Sequence, residues 1–265
     1  MVLESLVNPR KAENKPLRVL AVSIFYTFIA IIFANFLFPS EVSLLAVALL
    51  TMIFLPFFQK LFIIEEEKEI TRTKIKNILV THIQIVNVFA AFFLGVIIAT
   101  SFVYIFFTQD IFSLQTSVIR SFSGSGAFVQ YGDFSRFFLN NTQVMLVTYI
   151  LSILFGAGAV FILAWNASVI GVFIGITAQS FVGKGYPVAA AYAIGLPFGL
   201  SSIALHGVPE VLAYFLAAVA GGVLSVGVIR EKWKSKEFHL VVKDSLKFLV
   251  LAEVLIIIAA LIEAA

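Results

Sequence analysis

The sequence brings a histidine and a glutamate together in a strongly apolar region, in the segment His206-Gly207-Val208-Pro209-Glu210. Pro209 suits the first turn of a helix, so we expect a helix to begin here with Glu210 in that turn. The exposed backbone N–H groups of a first turn stabilise a carboxylate. Two interpretations remain open: a proton or cation site (or half of a metal site) at the outer interface, or a helix cap with one buried hydrogen bond.

A second candidate is Glu253, the carboxylate that lies well inside a predicted membrane span. A charged group in a span is costly, so it is either functional or paired. The candidate partners are Lys247, His206 or a backbone group, and both interpretations stay open.

Three asparagines flank another predicted span, with Asn140 and Asn141 before it and Asn166 after it. They are predicted to cap helix ends, since Asn is a favoured capping residue. The alternative is that they bond to the carbonyl groups of a broken helical segment.

Small residues recur at spacings typical of close helix packing. The candidate packing positions are Gly156, Gly158, Gly171, Gly175, Gly221 and Gly222, with a further pair at Gly195 and Gly199. These faces indicate either packing inside one protomer or a homodimer, and the sequence does not separate the two.

Signatures of enzymes are missing from the chain. It has no cysteine, which excludes disulfides, thiol nucleophiles and cysteine-ligated zinc. The run Ser123-Gly124-Ser125-Gly126 lacks the first glycine expected of a serine-protease glycine motif, because Phe122 stands there. We therefore expect no enzyme, no cofactor and no metal.

The residues named so far must be positioned by membrane-spanning helices. Hydrophobic residues make up 61% of the 265 and charged residues 12%, which excludes an ordinary soluble enzyme and a disordered chain. A span needs about 20 apolar residues. The predicted spans are Leu17–Phe38, Val42–Ile64, 78–107, Val144–Ala164, one crossing within Ala167–Leu205, Val208–Ile229 and Leu246–Leu261. The fold class is thus all-α: a polytopic transmembrane bundle of six to seven spans with a broken or re-entrant segment.

Positive charge predicts the orientation of these spans. Lysines and arginines cluster before the first span, between the second and third, and between the last two, so these segments are expected in the cytoplasm. Breaks at Gly183–Pro187 and at Pro197–Gly199 interrupt the stretch Ala167–Leu205. One crossing there gives seven crossings, with the N-terminus inside and the C-terminus outside.

The chain is predicted to be one integral membrane domain, 1–265, with three connecting segments. Residues 1–16 form a cytoplasmic N-terminal segment, and 65–77 form a charged cytoplasmic loop. The dense charges of 64–77 predict a solvated helix that extends a span. Residues 108–140 are predicted to lie outside the cell and to carry an amphipathic helix on the membrane surface, followed by a flexible turn.

From the fourth span onward, the order of features resembles the stage II sporulation protein M family of integral membrane proteins. The likeness covers about 140–229. It rests on the Asn pair 140–141, the Gly156/Gly158 span centre, Asn166, Gly171 and Gly175, the His206-Gly207-x-x-Glu210 element, and the Ala220-Gly221-Gly222 run. The resemblance implies a multi-pass cell-membrane protein without a catalytic centre.

Two classes of function follow for such a protein. The family's namesake is similar in architecture and acts as a scaffold that positions partners, so a membrane scaffold or partner-recruiting protein is the first hypothesis. Its partners would be the lipid bilayer, a second copy, and membrane or extracytoplasmic proteins, with no nucleic acid. The alternative is a transporter or channel for a small solute or ion, using the broken helix and the pair His206/Glu210.

Overall fold

The computed structural model describes residues 8–71, 78–107, 109–123 and 134–265, and within these ranges the chain is helical with no β-strand. The helices are α1 Pro9–Ala12, α2 Pro16–Leu37, α3 Val42–Ile70, α4 Ile78–Phe106, α5 Ser113–Ser123, α6 Phe134–Phe155, α7 Ala159–Gly183, α8 Val188–Arg230 and α9 Lys236–Ala264. Two short 3₁₀ turns, Pro39–Glu41 and Asp110–Phe112, precede α3 and α5.

Seven of the described helices, α2 to α4 and α6 to α9, are long and apolar enough to cross a membrane. A helix satisfies its backbone hydrogen bonds internally, which is what lipid requires. The prediction of an all-α polytopic bundle is therefore confirmed.

The predicted helical hairpin at the start of the chain is present. Pro39–Glu41 forms the turn between α2 and α3. The second helix continues to Ile70, beyond the predicted end at Ile64. The charged run after Ile64 is therefore in part a rigid extension of α3.

The predicted fourth span, Val144–Ala164, is wrong. α6 ends at Phe155 and α7 begins at Ala159, so the chain reverses in the middle of that apolar stretch. Gly156 has a backbone φ of +63°, a left-handed conformation that favours glycine. A Cβ on Gly158 would lie 2.5 Å from the Leu151 carbonyl oxygen. The turn is packed inside the protein and its neighbours in the sequence are apolar, so the hydrophobicity of the sequence does not reveal it.

The break predicted at Pro197–Gly199, and the helix start predicted at Pro209, are also wrong. α8 runs without interruption for 43 residues through both prolines. A span tolerates proline when neighbouring groups satisfy the freed carbonyl, whereas unwinding would expose several backbone groups. The break at Gly183–Pro187 is present between α7 and α8, so the stretch Ala167–Leu205 holds parts of two long helices.

α8 packs along α4 in the opposite chain direction. Tyr192, near the start of α8, contacts Ser101 and the Phe106 ring, while Phe215, further along α8, contacts the Phe89 and Phe93 rings. These contacts join about 35 Å of α8 to about 26 Å of α4, at about 1.5 Å per residue.

α5 forms the predicted amphipathic helix, but much of its inner face packs on protein. The Gln115 side chain is 1% exposed and its Nε2 donates to Ser43 O and to Ser168 Oγ, each at 3.2 Å. Phe112, just before α5, is also buried. The flexible turn predicted after α5 lies outside the described residues from Gly124 on.

Candidate functional site

His206 and Glu210 lie in the interior of α8, so the predicted first-turn position of Glu210 is wrong. They are one helical turn apart and therefore share a face. Glu210 Oε1 accepts a hydrogen bond from Tyr214 Oη at 2.7 Å. A phenol hydroxyl on the same helix thus takes the place of the expected backbone N–H groups.

Gly207 faces a different feature, a cavity of about 290 Å³ between α4, α7 and α8. Its walls are apolar and include Phe93, Leu94, Leu200 and Val211. A Cβ at Gly207 would meet only Ile203, at 3.9 Å, so this glycine is not needed for close packing.

The three asparagines do not cap helices. Asn140 and Asn141 lie inside α6, where Asn140 Nδ2 donates to Asn141 Oδ1 at 3.1 Å. Asn166 lies inside α7 and its Nδ2 donates to Ile162 O of the preceding turn at 2.8 Å. Both helices begin well before these residues, because the chain turns at Gly156–Gly158 and not at the asparagines.

Glu253 finds a partner that the sequence did not indicate. Its Oε1 accepts a hydrogen bond from Thr142 Oγ1 of α6 at 3.0 Å. Lys247, one of the expected partners, instead bonds to Asp244 at 2.5 Å. We call Asn141, Thr142, Glu210, Tyr214 and Glu253 the interior polar cluster, carried by the mutually packed helices α6, α8 and α9.

The predicted packing glycines face helices of the same chain. A Cβ at Gly171 would lie 2.8 Å from Thr100 Cβ, and one at Gly175 would lie 2.5 Å from the Tyr104 ring. Gly221 lies against the Tyr149 carbonyl, and a Cβ at Gly222 would lie 2.5 Å from the Phe62 ring. Each contact requires a small residue at that point.

Sequence reasoning missed the burial of a group of charges at the end of α3. Glu65, Glu66 and Glu69 at the end of α3 are at most 1% exposed, so the prediction of a solvated charged segment is wrong for this part. Its remainder, 72–77, lies outside the described residues. These carboxylates repeat the spacing of the buried Leu61 and Phe62 and continue the same inward face of α3. This continuous inward face was the sequence signal that could have predicted the burial of the three carboxylates.

His82 of α4 stands between two of these carboxylates. Its Nδ1 forms a short hydrogen bond with Glu65 Oε2, and its Nε2 lies 3.4 Å from Glu69 Oε1. A carboxylate oxygen lies beside each ring nitrogen, which suits an imidazolium, with a hydrogen bond at Nδ1 and a longer charge contact at Nε2. The Phe248 ring of α9 packs on the imidazole at 5.1 Å.

Lys68 joins the N-terminal segment to this group. Its Nζ lies 2.6 Å from Glu65 Oε1 and 2.7 Å from Glu13 Oε2. Burial raises the pKa of the Glu13 carboxyl and the adjacent Glu65 raises it further, while Lys68 acts in the opposite direction. The contact ties the segment before α2 to the end of α3.

Arg230, the last residue of α8, reaches the same place. Its Nη1 lies 3.0 Å from Glu66 Oε2 and its Nη2 lies 3.2 Å from Glu67 Oε1. We call this set the charged end: Glu13, Glu65, Glu66, Glu67, Lys68, Glu69, His82 and Arg230. Apart from His82, these residues come from three segments that the distribution of positive charge predicts to lie on one side of the membrane. In the fold, the three segments meet at one end of the bundle.

The charged end is held by ion pairs between protein groups. No group of three or more histidine, aspartate or glutamate side chains in the described part of the chain is arranged to hold a metal ion. The arrangement suits a structural lock that joins α1, α3, α4 and α8.

Seven apolar helices, buried ion pairs at one end and hydrogen-bonded polar groups between the spans define a multi-pass α-helical membrane protein. The family model of stage II sporulation protein M matches residues 88–265. The chain therefore belongs to the stage II sporulation protein M family, and the match extends well beyond the 140–229 that carried the resemblance. No curated protein and no solved structure matches the chain.

Proposed function

We propose that this protein is a non-enzymatic scaffold of the cell membrane, which binds protein partners in the membrane or at its outer surface. The observation that carries the proposal is the apolar cavity beside Gly207. His206 and Glu210, the residues expected to line a conduction path, are not among the residues that line this cavity. Its walls come from apolar side chains of α4, α7 and α8. A path for ions or polar solutes needs polar or charged lining groups.

The hydrogen bonds inside the spans support the same proposal. Glu210 bonds to Tyr214, Glu253 bonds to Thr142, and Ser152 donates to Ala218 O at 2.8 Å. The bonds of Glu253 and Ser152 join different helices, and all three engage polar groups that would otherwise be available to a passing solute.

The glycine contacts bear on whether a second copy of the chain packs against these faces. Gly171, Gly175, Gly221 and Gly222 are occupied by helices of the same chain. They support the hypothesis of packing inside one protomer, and a homodimer would need another face. Large apolar side chains such as Leu205, 77% exposed, offer surfaces for lipid or for a partner helix.

A transporter remains the second candidate because of one specific observation. Glu210 is an ionisable group inside a span, and His206 lies one turn away on the same helix. Such residues mark ion or proton pathways in many membrane proteins.

The test measures both candidates on one preparation. Purified protein is reconstituted into vesicles for proton and sodium flux, and a photo-crosslinking amino acid at Leu205 is used in cells, with the buried Phe215 as the control position. The scaffold proposal predicts no flux above empty vesicles and a discrete protein adduct at Leu205 that persists in His206→Ala and Glu210→Ala. Flux that is lost in a stably folded Glu210→Gln variant, or the absence of any adduct, would overturn it.

A further inference from the structure

A groove beside the charged end combines positive charge with an apolar floor. It has a volume of about 530 Å³ and lies between α1 and one face of α3. Asn8, Pro9 and Arg10 line one side, and Lys60, Ile63, Ile64 and Glu67 line the other. Arg10 and Lys60 are both exposed.

The depth of Lys60 follows from helix geometry. It lies 18 residues after Val42, the start of α3, which corresponds to about 27 Å at about 1.5 Å per residue. The hydrocarbon layer is roughly 30 Å thick. Lys60 therefore lies close to the boundary between hydrocarbon and headgroups, and Glu67 lies beyond it.

The charges of the groove favour an anion. Arg10 and Lys60 contribute two positive charges, and the exposed Lys11, Lys15 and Arg18 follow in the same segment. Glu67, the carboxylate among the described lining residues, is engaged by Arg230 at 3.2 Å. Basic pockets at this depth on the cytoplasmic side are typical sites for anionic lipid headgroups.

The same face of α3 continues toward the membrane as an apolar track. Ile63 is 36% exposed at the groove, and Met52, about three turns before Ile63 on the helix, is 70% exposed. An acyl chain could lie along this surface while its phosphate stays near Arg10 and Lys60.

We propose that the groove between α1 and α3 binds the headgroup of an anionic phospholipid, with Arg10 and Lys60 contacting the phosphate. This binding site is separate from the scaffold role and depends on neither a protein partner nor transport. The lipid contacts both the N-terminal segment and α3, so it strengthens the attachment that Lys68 makes to Glu13.

The test uses the full chain in detergent micelles doped with phosphatidylglycerol or with phosphatidylcholine of the same acyl chains. Thermal unfolding midpoints and lipid adducts in native mass spectrometry are measured for the wild type, Arg10→Gln, and Arg10→Gln/Lys60→Gln. Lys234→Gln is the matched control, because Lys234 is an exposed cation at the same end of the bundle but outside the groove.

Phosphatidylglycerol should raise the midpoint of the wild type and of Lys234→Gln more than phosphatidylcholine does. Each lost groove cation should weaken lipid binding roughly fivefold. Equal shifts from the two lipids, or an unchanged phosphatidylglycerol shift in the double variant, would overturn the proposal. If inorganic phosphate at matched ionic strength stabilises the wild type as strongly, the groove is a site for soluble anions and the lipid proposal fails.

Discussion

The charged end and the interior polar cluster handle buried carboxylates in different ways. At the charged end, Glu65 contacts both His82 and Lys68, and Glu66 contacts Arg230. In the interior cluster, the bonds to Glu210 and Glu253 come from the hydroxyl groups of Tyr214 and Thr142. Cationic partners thus stand near the helix ends, while neutral donors stand between the spans.

The two regions also differ in their relation to the family. The match covers residues 88–265, which contains the interior polar cluster whole. Most of the charged end, including Glu13, Glu65 and His82, precedes it, and Arg230 is its member within the matched part. The matched region thus holds the hydroxyl–carboxylate bonds, while the N-terminal third of this chain supplies most of the residues of the ionic lock.

The largest effect is expected from His82→Ala, because it leaves Glu65 and Glu69 buried without the imidazole between them. Removing one partner of a buried ion pair costs about 3–5 kcal/mol. Equilibrium unfolding in mixed micelles would measure the loss. His239→Ala, at an exposed histidine, should change stability by less than about 0.5 kcal/mol. Equal stabilities of the two variants would show that the ionic lock contributes nothing.

Gly175→Leu should have the next largest effect, about 1–3 kcal/mol, because overpacking forces α7 away from α4 at Tyr104. Gly171→Leu should behave similarly. Gly183→Leu is the control, since a Cβ there would meet nothing within 4 Å. A thermal midpoint that is unchanged in both Gly171→Leu and Gly175→Leu would mean that this face is not a close helix contact.

Glu210 tests whether the interior cluster is purely structural. Glu210→Ala should cost about 1–3 kcal/mol, because the Tyr214 hydroxyl loses its acceptor. Glu210→Gln should be milder, since its amide oxygen can still accept that bond. The free energy of unfolding and the ability to complement loss of the protein in cells are measured side by side for both variants. A stable Gln variant without activity would favour proton or cation handling over the scaffold.

A smaller effect is expected from Thr142→Val, which removes the donor to Glu253 while keeping the side-chain shape. Hydrogen bonds between membrane helices average about 0.6 kcal/mol. Thr148→Val is the matched control in α6, because its hydroxyl bonds only to Val144 O of its own helix. If the control loses as much stability as Thr142→Val, the contact between α6 and α9 is not stabilising.

The orientation test should leave stability unchanged. The three basic clusters predict that the segment between α8 and α9 is cytoplasmic. Lys234→Cys provides a single thiol, since the chain has no cysteine, and it spares Ser235, whose side chain accepts the Phe238 N–H at the start of α9. An impermeant thiol reagent should label the variant only in permeabilised cells. Labelling of intact cells would place the charged end outside.

Sequence reasoning predicted the parts of the fold that composition controls. The number of spans and the Pro39–Glu41 turn follow from apolar length and local turn chemistry. The positions of α6, α7 and α8 did not follow, because Gly156 adopts a turn inside an apolar stretch while Pro197 and Pro209 stay helical. Both outcomes depend on the protein packed around those residues.

The candidate site shows the same limit. The sequence singled out Glu210 and Glu253 because a carboxylate in an apolar run is conspicuous, but their partners Tyr214 and Thr142 depend on how helices face one another. His82 and Glu65 were missed because one is a lone histidine and the other belongs to a charge run, which usually faces water. Their meeting is a property of the packed pair α3 and α4.

The ion pair between Glu66 and Arg230 joins residues 164 positions apart in the chain. At about 5–20 residues per second, the ribosome needs roughly 10–30 s to make the chain between them. The contact of Glu13 with Lys68 spans only 55 positions and can close much earlier. The first hairpin can thus be secured while Glu66 is still without its arginine, and the arrival of Arg230 allows the end of α8 to be joined to that hairpin before α9 is made.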